Sequence, residues 1–121
     1  MKDKKLELRH LVLELGLFVL TFSLISYFYH SNLLLTLILL FTGGIGIFFW
    51  HTKKDITLFV VSAILGPLAE IVCIKFGVWT YSKPVFLGIP PWLPIAWGEA
   101  VVFFYKLSNF VYLRVVDRKK K

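Results

Sequence analysis

Long apolar runs alternate with short polar breaks along this chain. The runs extend from about Leu11 to Tyr29, Leu33 to Trp50, Ile56 to Val78 and Trp92 to Leu113. Each is close to the roughly 20 residues that a helix needs to cross a hydrocarbon core of about 30 Å. The pattern predicts an all-α polytopic membrane protein, with four transmembrane helices in an antiparallel bundle forming one domain over residues 1–121. The break His30-Ser31-Asn32 is short enough to force the first two helices into a hairpin, and His51-Thr52-Lys53-Lys54-Asp55 predicts the same for the second and third. Only Thr80 to Pro91 is long enough to build a cap. Its three prolines and Gly88 predict a stiff, turn-rich segment.

Polar residues inside the runs then carry the interest, because a charge in lipid is costly and marks a functional site by default. The first run holds Glu14, the third Gly66-Pro67, Glu70 and Lys75, and the fourth Glu99 and Lys106, while the second has no charge but contains Gly43, Gly44 and Gly46. On the third helix Ser62, Gly66, Glu70, Cys73 and Gly77 recur at three- and four-residue steps and form one small, polar stripe. Stripes of this kind let membrane helices approach closely, so this face is expected to look into the bundle. Trp92, Ala96, Glu99, Phe103 and Lys106 make the corresponding stripe on the fourth. At 1.5 Å of rise per residue, Glu70 lies roughly 4.5 Å beyond the midpoint of its helix, and Glu99 reaches about the same depth on the antiparallel fourth. The two carboxyls are therefore expected to share a pocket. Burial penalises the charged form, so at least one should carry a proton near neutrality.

The other polar residues read more plainly. Glu14 is expected to pair with Lys106, and Lys75 to snorkel to the headgroups. The Gly43, Gly44 and Gly46 patch reads as packing, and Gly66-Pro67 as a kink that frees the Ala63 carbonyl. His10, His30 and His51 fall at helix ends on alternating sides, which does not suit one metal site. No metal-ligand cluster, cofactor motif, nucleophile triad or phosphate-cradling loop is present, and Cys73 has no cysteine partner.

Charge adds an orientation. The net charge of +7 is not spread as a nucleic-acid surface would be. Lys2, Lys4, Lys5, Arg9, Lys53, Lys54, Arg114, Arg118 and Lys119 to Lys121 all fall on one side, against Lys83 alone in the opposite loops. The positive-inside rule then puts both termini in the cytoplasm and the chain in the cytoplasmic membrane, with the N-terminal run retained as the first helix.

The run Phe76-Gly77-Val78-Trp79-Thr80-Tyr81, then Leu87-Gly88-Ile89-Pro90, then Leu93-Pro94-Ile95-Ala96-Trp97, resembles the membrane proteins of carotenoid biosynthesis. It is similar to the bisanhydrobacterioruberin hydratase-like branch, and Glu99 with Phe103-Phe104 looks like the order found in the lycopene cyclase-like branch. The likeness covers about residues 66–104. It implies protonation of a carbon–carbon double bond by a carboxylic acid, with Glu70 and Glu99 as the acid and its partner. Aromatic faces from Trp79, Tyr81, Trp92, Trp97 and Phe103 would line the ligand and steady a carbocation. The partners implied are membrane lipids and a hydrophobic isoprenoid ligand, with assembly as a homo-oligomer or within a larger membrane complex left open. Two other readings stand beside it: a non-catalytic accessory subunit, and a small proton-coupled transporter.

Overall fold

The structure, a computed structural model, describes residues Lys2–Val116. Arg118 and Lys119 to Lys121, which contribute to the charge asymmetry, lie outside the described residues. Among those described there are four α-helices: α1 Lys2–Phe28, α2 Asn32–Phe49, α3 Lys53–Lys75 and α4 Leu93–Val111, the last running on into a π-helical turn Tyr112–Val116.

Helix ends follow local chemistry more closely than hydropathy. α1 begins well before the apolar run because Lys, Glu, Leu and Arg are all good helix formers, whatever their polarity. α3 starts ahead of its apolar run at a capping box, in which the Thr52 hydroxyl accepts from the Asp55 backbone N–H and the Asp55 carboxylate accepts from that of Thr52. It passes through Pro67 without a break and stops before Gly77, whose φ of +78° is left-handed. The expected extension of this helix to Val78 is therefore cut short.

Three helices are long and apolar enough to cross a membrane: α1 over Lys5–Phe28, α2, and α3. α4 was expected as a fourth of the same kind, yet it is a different sort of helix. It packs against each of the other three, and Leu93, Ala96, Gly98, Glu99, Ala100, Val102 and Phe103 are all buried along it. A helix enclosed by protein can carry small and polar residues that a lipid-facing one cannot. The insertion of α4 also corrects the second expected hairpin, since α2 and α3 are joined by a short turn while the helix packed against α3 is α4.

Contacts establish the alternating direction. The starts of α1 and α3 meet the end of α4 around His10, Asp55 and Lys106, while the end of α1 and start of α2 meet the cap and the start of α4. The apolar core sits at this second end, where Leu35, Leu39, Ile89, Trp92, Leu93 and Ala96 are buried together. α1 contributes one inward stripe, Glu14, Leu17 and Thr21, and α2 another, Leu35, Leu39, Gly43 and Gly46. The outward faces stay oily, with Phe48 87% and Phe49 79% exposed. Apolar surface of that extent marks contact with a non-aqueous medium or a partner.

The cap is a tight turn closed by an isolated bridge between Phe86 and Ile89. Both central residues have positive φ, Leu87 at 50° and Gly88 at 87°, as a type I′ turn requires. A Cβ at Gly88 would come within 2.7 Å of Ile74, so glycine is needed there for space as well. The Asn32 amide donates to the Lys83 carbonyl at 2.8 Å and ties the cap to α2.

Candidate functional site

α3 turns its buried face, Gly66, Pro67 and Glu70, toward α4. Gly66 is the seat of the Trp97 indole: a Cβ there would lie 2.1 Å from Trp97 Cδ2. With the ring set so deep, Trp97 Nε1 donates to Glu70 Oε2, one turn along α3. From the cap, the Tyr81 hydroxyl donates to the other oxygen, Oε1. Glu70 is thus held by α4 on one side and by the cap on the other, at 8% exposure. Burial pushes the Tyr81 phenol above its ordinary range, and the hydrogen bond and charge of Glu70 push it further. Tyr81 therefore remains a donor.

Beside the carboxyl lies a cavity of about 400 Å³. Phe22 and Ile25 of α1 form one wall, and Ala96, Trp97, Ala100 and Phe104 of α4 form another. Tyr81 and Trp92 close the cap end with their rings edge to face, centroids 6.2 Å apart at 86°. Glu70 is the only carboxyl among the lining residues. Trp92 Nε1 is buried without a hydrogen-bond partner in the protein, so the cavity wall holds one spare donor in addition to the two committed to Glu70.

Of the residues singled out from the sequence, this cavity unites Glu70, Tyr81, Trp92 and Trp97. It does not include Glu99, Trp79 or Phe103. Trp79 is 42% exposed in the connection that follows α3. Phe103 is buried against α1, stacked on Phe18 with ring centroids 4.7 Å apart. Glu99 is 1% exposed and lies against α2, where a Cβ at Gly43 would be 3.2 Å from its Oε1. The expected Glu70–Glu99 pocket is therefore not formed. Depth matched, but Trp97, which carries the contact to Glu70, is two residues and about 200° around the helix from Glu99. Because α4 is surrounded, its two faces meet different neighbours.

Two further pairings differ from expectation. Lys106 pairs with Asp55, Nζ to Oδ2 at 2.9 Å, and not with Glu14. Glu14 is fully buried and accepts from Trp50 Nε1 at 2.6 Å and from His51 Nε2 on the same oxygen. Asp55 was legible as a helix-start signal, Thr52-x-x-Asp55, though not as the partner of Lys106. Trp50 and His51 close a hairpin whose other arm starts near Glu14, and that closure was the available clue to their contact. Among the described residues no group of three or more His, Cys, Asp or Glu is placed to hold a metal ion.

Comparison with protein families, curated proteins and solved structures finds no match to this chain.

Proposed function

We propose that this is an integral protein of the cytoplasmic membrane, with α4 completing a four-span bundle and both termini cytoplasmic, that takes an isoprenoid-class lipid into the Glu70 cavity and protonates one of its double bonds. The observation that carries the reading is the placement of one carboxyl, with a donor on each oxygen, in an otherwise aromatic and aliphatic cavity.

The chemistry follows from those contacts. In the proton-transfer step the Glu70 O–H bond breaks, a C–H bond forms at one alkene carbon, and the π pair is used up, leaving a carbocation at the other. The carboxylate that remains accepts the hydrogen bonds of Tyr81 and Trp97. The cation has the faces of Trp92, Trp97 and Phe104 close by, where ring quadrupoles contribute about 0.5–2 kcal/mol each. Loss of a proton back to the Glu70 carboxylate completes a cyclisation or isomerisation; capture of water, with its extra proton returned to Glu70, completes a hydration. The spare donor at Trp92 Nε1 suits an oxygen held in this cavity and so favours the second outcome.

The test is conversion of acyclic polyenes by membranes carrying the protein in D2O, with the product examined for deuterium. Glu70→Gln should abolish incorporation, whereas Tyr81→Phe should slow it. Full-rate conversion by Glu70→Gln would sink the proposal. The accessory-subunit reading also has an observation in its favour, because the same two hydrogen bonds tie α3, α4 and the cap together. It requires Glu70→Gln to change stability or assembly and no lipid chemistry at all.

A further inference from the structure

A second set of buried polar groups lies away from the Glu70 cavity, between α1, α2 and α4. Glu14 and Thr21 are 0% exposed and Glu99 is 1% exposed. Both oxygens of Glu99, the second oxygen of Glu14, the Thr21 hydroxyl and His51 Nδ1 are all buried with no hydrogen-bond partner. Native interiors leave few such groups unpaired, and several at one place need a reason.

α2 brings them within reach of one another. Its two buried glycines are the points of contact: Glu99 Oε1 lies against Gly43, while the His51 ring lies against Gly46, 3.3 Å from where a Cβ would be. Gly43 and Gly46 are three residues apart on one helix face, about 4.5 Å of rise. His51 is in turn bonded to Glu14, whose helix meets the same Gly46 through Leu17. The groups therefore form a short buried series, from His51 through Glu14 to Glu99. At its outer edge are the Asp55–Lys106 ion pair and His10. α2 contributes no titratable group to it.

We propose that His51, Glu14 and Glu99 form a buried proton-exchange site, which takes protons from the basic end of the bundle and holds one on Glu99. A buried carboxyl with neither oxygen paired suits the neutral acid better than a bare charge. In each transfer the imidazolium N–H bond at Nε2 breaks as an O–H bond forms on Glu14. Rotation of the Glu14 carboxyl then turns that proton toward Glu99, the Glu14 O–H bond breaks as an O–H bond forms on a Glu99 oxygen, the reverse steps release it again, and His51 is recharged from solvent. The site is independent of the Glu70 chemistry and does not rest on it.

Infrared spectroscopy of the protein in lipid nanodiscs, exchanged from H2O into D2O, tests this. In a Glu70→Gln background, which removes the acid of the other cavity, a C=O stretch of a protonated carboxylic acid should be present at neutral pH and should be lost when Glu99→Gln is added. His51→Phe should slow the band's deuterium shift by about a hundredfold or more, the usual contribution of a positioned acid–base group. Should Glu99→Gln not fold, 13C-glutamate labelling serves instead. Glu7, Glu14, Glu70 and Glu99 are the only glutamates in the chain, so a labelled band that survives Glu7→Gln, Glu14→Gln and Glu70→Gln belongs to Glu99. A band unchanged by Glu99→Gln, no labelled band remaining, or exchange in His51→Phe at the wild-type rate would each overturn the proposal.

Discussion

Replacing Gly66 with alanine tests whether the Glu70 site is assembled by close approach of α3 and α4. The added methyl would lie 2.1 Å from Trp97 Cδ2 and 2.4 Å from Cγ. Cγ is fixed next to the Trp97 backbone, so a rotamer change at the tip cannot relieve the clash and the helices must part. Overpacking of this kind costs about 1–3 kcal/mol. Moving the indole also breaks its hydrogen bond to Glu70, worth about 1.5–3 kcal/mol if the carboxylate is charged. Against this, alanine gains about 1 kcal/mol over glycine in a helix interior. The net is a destabilisation of about 1.5–5 kcal/mol. Reversible unfolding in mixed detergent micelles, followed by tryptophan fluorescence, measures it. Gly16→Ala is the control, since nothing lies within 4 Å of a Cβ there. It should be neutral or stabilise by up to about 1 kcal/mol. A Gly66→Ala protein as stable as wild type would refute the packing argument. So would an equal loss in a Trp97→Ala background, where the clash has been removed.

Other outcomes follow from individual contacts. A double-mutant cycle on Asp55→Asn and Lys106→Met should show coupling of about 1–3 kcal/mol by denaturant unfolding, because the pair is mostly buried; Glu14→Gln with Lys106→Met should show none. The Tyr81 phenol is raised, so its contribution is fully present below the ordinary value of about 10 and is lost as pH rises through the folded value. Wild type should exceed Tyr81→Phe in stability at neutral pH, and the gap should shrink only in strong alkali. With Cys73 replaced by Ser, Lys83→Cys should react with an impermeant maleimide from outside intact cells, and Lys53→Cys only after lysis. The reverse pattern would overturn the proposed orientation.

What the sequence alone determined is local in origin. Run length and apolar periodicity are properties of a single helix, so the four helices, the first hairpin and the inward face carrying Gly66 and Glu70 were all readable. The polar residues that matter, Glu14, Glu70 and Glu99, stood out because nothing near them in the chain was polar. Which neighbours those residues meet was decided only by tertiary structure. Rise per residue put Glu70 and Glu99 at one level, but a level has no direction, and the rotation of α4 sends Trp97 to α3 and Glu99 to α2. The insertion of α4 between α2 and α3 depends on non-local packing, above all the glycine seats at Gly66 for Trp97 and at Gly98 for Phe59. Gly66 was legible as a small residue in a stripe. That its missing side chain is the space in which an indole reaches a carboxylate is a property of two helices together, and neither run of sequence contains it.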